Sequence, residues 1–107
     1  MIDWYDREGR PMVDGMRDIE ARLRDLNYKR VASTDLRDGK WVSTVWLGLN
    51  HNYGEGPPLI FETMVFRNHD DLTDLDCERY STEAEAVAGH AAVVKRWTDD
   101  PEKGGQS

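Results

Sequence analysis

Two apolar runs dominate the hydrophobic pattern of the chain, WVSTVWLGL at 41–49 and LIFETMVF at 59–66. Both are rich in Val, Trp, Ile, Phe and Thr, which favour the pleated, half-buried surface of a strand. Alternate residues of a strand share a face, and each run has apolar residues at both odd and even positions. The pattern predicts two central strands of a sheet that is covered on two sides, by helices, by loops or by another subunit.

Two amphipathic helices are predicted around these strands. The first spans 14–26, capped by Asp14, with apolar spacing i, i+3, i+7, i+10 at Met16, Ile19, Leu23 and Leu26. The second begins at Thr82, which forms a capping box with Glu85, and stops at Asp100-Pro101. Its predicted core side comprises Ala86, Val87, Ala91, Val94 and Trp97.

Shorter elements complete the pattern. Residues 1–12 predict a short edge strand or extended arm followed by a turn, and residues 28–34 predict a strand. Asp38-Gly39 indicates a tight turn, 67–76 a polar connection and 77–80 a last edge strand. Because short turns join antiparallel strands, we expect an α+β fold in which an antiparallel meander of three to five strands packs with two helices, one before and one after the central strands. Residues 1–100 form one domain and 101–107 a flexible tail.

Composition and charge narrow the function classes. The chain is 107 residues long, with 38% hydrophobic and 33% charged residues, and its four Trp and four Tyr indicate a folded, soluble protein. The formal charge of -7 argues against general affinity for nucleic acid, and no apolar run approaches the roughly 20 residues that span a bilayer. The polar N-terminus argues against a signal peptide, and the single cysteine, Cys77, suits a reducing cytoplasm.

Three segments resemble a group of small proteins encoded by actinobacteria and their phages. They are STVWLGLNHNYG at 43–54, PPLIFETMVF at 57–66 and YSTEAEAVAGHAAVV at 80–94, together about a third of the chain. The group consists of hypothetical proteins without an assigned activity, so the resemblance implies provenance and no catalytic residue. Asn50 stands where the group's pattern has an acidic residue.

Candidate chemistry is sparse. The chain has no HExxH, paired CxxC, phosphate-binding glycine fingerprint or nucleophile elbow, so we expect no catalytic site, metal or cofactor. The long loop 50–58 is a candidate binding site that presents His51, Asn52, Tyr53 and Glu55. Glu62 and His90 are further candidates, although a strand carboxylate paired with Lys or Arg and a hydrogen-bonded core histidine are the ordinary explanations.

The sequence therefore favours a non-enzymatic binding protein of phage or prophage type that acts on a host protein in the bacterial cytoplasm. The alternative is a small metal-dependent or acid-base enzyme that uses His51, Glu62 and His90. If both helices lie on one side of the sheet, the other side stays open. A homodimer through that side is then expected, unless the N-terminal arm folds across it.

Overall fold

The computed structural model describes residues 4–12, 16–52 and 54–99. Four strands form one antiparallel sheet in chain order, with helices before and after it. This confirms the predicted α+β meander. The elements are α1 (Met16–Arg24), α2 (Leu26–Lys29), β1 (Arg30–Asp35), β2 (Trp41–Trp46), β3 (Phe61–Phe66), β4 (Asp74–Tyr80) and α3 (Glu83–Asp99). No helix in the described ranges is long and apolar enough to span a membrane.

One face of the sheet, here the closed face, lies under α3, which contacts all four strands. The register places its central side chains in three cross-strand pairs, each at most 1% exposed: Val42 with Val65, Thr44 with Thr63, and Trp46 with Phe61. The short helix α2 joins α3 on this side, because the Tyr28 ring meets the Trp46 ring edge-on at 5.0 Å. The core of the domain therefore lies on this one face.

The opposite face, here the open face, has no described helix packed on it. The strand alternation and register place on it Ser33, Asp35, Trp41, Ser43, Val45, Glu62, Met64, Phe66, Cys77 and Arg79. The helices thus share one side of the sheet, which is the condition under which the sequence predicts an open side.

The buried stripe of α3 differs from the predicted one. It consists of Ala86, His90, Val93 and Trp97. Val87 is 53% exposed and Ala91 is also exposed, so placing them on the core side was wrong. The helix is apolar on most of its circumference, and periodicity alone cannot choose between neighbouring stripes. Its start is as predicted, because the Glu85 N–H donates to Thr82 Oγ1 at 3.1 Å and the Thr82 N–H donates to Glu85 Oε1 at 3.2 Å.

The first helix ends at Arg24 and not at Leu26 as predicted. Asp25 accepts hydrogen bonds from the backbone N–H groups of Asn27 and Tyr28 and so starts the separate helix α2. The break turns Leu26 outward, where it is 64% exposed, and delays β1 until Arg30. Ile19 is buried as expected. The predicted cap Asp14 and the tail 101–107 lie outside the described residues.

The N-terminal arm closes one end of the core. The Tyr5 N–H donates to the Gly48 carbonyl at 2.9 Å, and the Trp46 indole N–H donates to the Tyr5 carbonyl at 2.9 Å. Gly48 has φ of 81°, and a Cβ there would lie 2.7 Å from the Trp46 ring, so only glycine fits. The described part of the arm therefore packs around Trp46, a closed-face residue.

Candidate functional site

The loop after β2, the predicted binding loop, is braced by two asparagine side chains. Asn50 Oδ1 accepts from the N–H groups of Asn52 at 2.7 Å and Leu59 at 3.0 Å. Asn52 Nδ2 donates to the carbonyl oxygens of Glu55 at 3.2 Å and Pro57 at 2.9 Å. Such amides replace the backbone partners that an irregular segment lacks. Asn52 therefore uses its side chain within the loop, and the role of Asn50 Oδ1 is one that a carboxylate also performs.

Of the other loop candidates, His51 and Glu55 lie in the part of the loop that the structure describes. His51 Nδ1 lies 2.9 Å from the Leu49 carbonyl oxygen, which only accepts, so Nδ1 donates this hydrogen bond. Glu55 is exposed. Tyr53 lies outside the described residues. The described part of the loop thus offers one imidazole nitrogen and one carboxylate on a self-braced frame.

His90 is the centre of a buried hydrogen-bond network on the closed face. Its Nδ1 lies 2.7 Å from Thr44 Oγ1 and its Nε2 lies 2.9 Å from Thr34 Oγ1. Thr44 Oγ1 is hydrogen-bonded to Thr63 Oγ1, to which the Tyr80 hydroxyl donates at 3.1 Å. Burial lowers the pKa of His90 and raises that of Tyr80. His90 is therefore a hydrogen-bonded core histidine, which is the ordinary explanation for such a residue.

Glu62 lies on the open face and is 9% exposed. Its Oε2 accepts from Arg79 Nε at 3.0 Å and from the Cys77 thiol at 3.4 Å. Burial, followed by the negative charge of Glu62, raises the pKa of the Cys77 thiol to about 11. Glu62 is therefore the paired strand carboxylate of the ordinary explanation, and Cys77 stays a neutral thiol near pH 7.

The structure does not bring Glu62 and His90 together. Consecutive strand residues point to opposite faces, so Glu62 lies on the other side of the sheet from Thr63, whose hydroxyl belongs to the His90 network. An acid-base pair requires the two groups to reach one reacting atom, and the sheet separates them. Within the described ranges, no group of three His, Cys, Asp or Glu side chains is placed to hold a metal ion.

The open face carries an aromatic cluster that sequence reasoning did not select. The Trp41 ring stacks on the His69 ring, with centroids 4.3 Å apart, and lies 5.2 Å from the Phe66 ring. His69 Nε2 is 2.5 Å from Asp35 Oδ1, and the Trp41 indole donates to Ser33 Oγ at 2.9 Å. The alternation of β2 and β3 places Trp41 and Phe66 on one face, but His69 comes from a connection with no periodic signal.

The acidic stretch 70–78 is partly neutralised inside the fold. Asp76 Oδ2 accepts from the Trp97 indole at 2.9 Å and from Arg96 NH2. Burial acts to raise the pKa of Asp76, but the hydrogen bonds from Trp97 and Arg96 outweigh it and hold that pKa below its usual value. These bonds make Asp76 a structural carboxylate. β4 begins at Asp74 and not at Cys77 as predicted, because Asp74 and Asp76 already pair with β3.

Comparison of the chain with protein-family models, with curated proteins and with solved structures finds no match.

Proposed function

We propose that the chain is a non-enzymatic binding protein that docks another protein on the open face of its sheet. The observation that carries the proposal is that face itself, which no described helix covers and which holds the aromatic cluster of Trp41, Phe66 and His69 beside Met64. Aromatic residues and methionine are enriched at protein interfaces, where they supply large apolar contacts with adaptable geometry. The Glu62–Arg79 pair gives the other end of the face a polar rim.

The charge of the chain favours a basic partner over a second copy. At -7 per chain, two copies repel each other at long range, whereas a positively charged surface is attracted and its association is accelerated. A homodimer through the same face is the competing occupant. Together with the resemblance to phage proteins, the charge supports a host protein as the partner and the host cytoplasm as the place of action.

The decisive experiment captures partners from an actinobacterial lysate with the wild-type chain and with Ser43→Glu. Ser43 lies at the middle of the open face, between Ser33 and Met64 in the register, so a carboxylate there disrupts docking without entering the core. Ala91→Glu is the matched control, because Ala91 is exposed on α3, on the other side of the sheet. We expect the same protein with wild type and control, and its loss with Ser43→Glu.

Cys77 gives a second readout in the same complex. It is the only cysteine and it lies on the open face, so the purified partner should protect it from alkylation. Capture of no protein even at low salt, equal capture by Ser43→Glu, or unchanged alkylation of Cys77 in the complex contradicts the proposal. Sedimentation equilibrium decides the competing occupant: a mass near 12.3 kDa excludes the homodimer, and twice that mass assigns the face to a second copy.

A further inference from the structure

A groove of about 680 Å³ lies between the turn that joins β1 to β2 and the C-terminal half of α3. Its size is that of a site for a small molecule. Leu36, Val94 and Trp97 give it an apolar lining, and Thr34 lines it from β1. Apart from Asp35, the residues that line the groove belong to the closed face, to the turn between β1 and β2 or to α3, so the groove differs from the docking surface proposed above.

The hydroxyl of Thr34 is one end of the network through His90. The described network consists of four hydroxyl groups and one neutral imidazole, which together carry five protons for four hydrogen bonds. The Tyr80 proton is used in one of these bonds, because Tyr80 donates to Thr63. One proton is therefore left without an acceptor in the network, and its place is decided by burial. Thr44 and Thr63 are 0% and 1% exposed, so an unmatched donor on either is costly.

The unmatched proton consequently falls on Thr34, which lines the groove. In that arrangement Thr63 donates to Thr44, Thr44 donates to His90 Nδ1, and His90 Nε2–H donates to Thr34 Oγ1. The hydroxyl proton of Thr34 is then free to bind an acceptor in the groove. The network thus fixes Thr34 as a hydrogen-bond donor toward a ligand.

The charges beside the groove leave one cation without a partner. Asp35 also lines the groove, but its carboxylate meets His69 on the open face. Asp38 is paired with Lys40 at 2.6 Å, and this hydrogen bond lowers the pKa of the Asp38 carboxyl. Arg37 lines the groove and forms no ion pair with any residue in the described ranges. Arg37 is therefore the cation in the groove lining that remains available to a ligand.

We propose that this groove binds a small molecule that combines an apolar body with a carboxylate. The body packs on Leu36, Val94 and Trp97, and the carboxylate accepts hydrogen bonds from the Thr34 hydroxyl and the Arg37 guanidinium. Both contacts match the chemistry of a carboxylate, which only accepts and which binds guanidinium groups strongly.

The test is an NMR titration of the full chain with 1-naphthaleneacetate, its neutral amide and the matching amine. The reporter is the indole N–H signal of Trp97, a groove residue whose N–H donates to Asp76. We expect saturable shifts with the carboxylate and binding about tenfold weaker for the amide, because the charge-assisted contacts are lost. The amine should give no saturable shift.

Variants tie the binding to the two donors. Arg37→Gln should weaken carboxylate binding by about tenfold. Arg24→Gln, which removes an exposed cation from α1, should leave it unchanged. Thr34→Val should weaken binding similarly, and Thr34→Ser, which keeps the hydroxyl, should restore it.

A native-like spectrum of Arg37→Gln keeps the test valid if Thr34→Val unfolds. No saturable shift up to about 10 mM carboxylate, equal binding of amide or amine, or unchanged binding by Arg37→Gln overturns the proposal.

Discussion

The two faces of the sheet are built from the same strands and differ in what covers them. On the closed face, α3 excludes water, and every buried polar side-chain atom in the described ranges has a hydrogen-bond partner. On the open face, Trp41, Met64 and Phe66 are only half-buried and lie among serines and ion-paired groups. The comparison shows that the apolar content of a strand does not decide its environment. The covering element does, and it determines which polar groups must be paired.

The closed face is itself divided by its polar network. The Thr44–Thr63 pair lies between two apolar rows of the sheet, so His90 separates the buried cluster around Val42 and Trp97 from the one around Trp46. The open face has no such dividing network. Its aromatic end and the end with the Glu62–Arg79 pair meet directly at Ser43 and Met64. If the closed face supplies stability and the open face supplies binding, substitutions on the two faces should have different consequences.

The largest contrast is expected between two tryptophans. Trp97 is 6% exposed, packs on Val42, Val65 and Val93, and donates its indole N–H to Asp76. Trp97→Ala should lower the free energy of unfolding by about 3 to 5 kcal/mol, measured by urea denaturation. Trp41→Ala, on the open face, should cost about 1 to 2 kcal/mol because Trp41 is only half-buried. A loss below about 1 kcal/mol for Trp97→Ala would show that α3 does not close the core.

A smaller effect is expected where α3 crosses Tyr80. A Cβ on Gly89 would lie 2.2 Å from Cε1 of the Tyr80 ring, a clash with a rigid group. Gly89→Ala should therefore cost about 1 to 3 kcal/mol, although alanine is the better helix former.

A double-mutant cycle separates the clash from helix propensity. With Tyr80→Ala in the background, Gly89→Ala should cost nothing or stabilise by up to about 1 kcal/mol. The same cost in both backgrounds would mean that the ring does not set the distance between α3 and the sheet.

Much of the fold could be predicted from the sequence, and the failures have physical causes. The meander followed from two runs with strand composition and a turn at Asp38-Gly39, where Gly39 has φ of 96°. The α3 start followed from the Thr82–Glu85 capping box, which is purely local. The core side of α3 was misplaced because an Ala- and Val-rich helix has no unique apolar stripe, and only contact with the sheet selects one.

The candidate sites were less predictable, because they depend on contacts between distant parts of the chain. The chemistry of histidine makes His90 a candidate, yet the threonines that surround it lie 46 and 56 residues away in sequence. Nothing in the polar connection that contains His69 indicates that its ring stacks on Trp41. Alternation places a residue on a face but does not show what covers that face.

The smallest expected effect is a pH dependence that only the closed face should show. The hydrogen-bond partners of His90 are the hydroxyls of Thr34 and Thr44, and neither compensates a charged imidazolium. Burial lowers the pKa of His90 below its value of about 6.5 in an unfolded chain. Below about pH 6.5 the unfolded chain therefore binds more protons at this residue than the folded chain does. The stability contributed by neutral His90 is complete above that pH and is lost as the pH falls through the folded pKa.

Urea denaturation at about pH 7.5, 6.5 and 5.5 measures this dependence. His90→Gln should be less stable than the wild type near neutral pH, but its stability should fall less on acidification because the buried titrating group is gone. His69→Gln is the matched control, since it removes an imidazole from the open face, which α3 does not cover. It should keep the loss of stability that acid causes in the wild type. Equal pH dependence in the wild type and His90→Gln would show that His90 is not enclosed as the closed face requires.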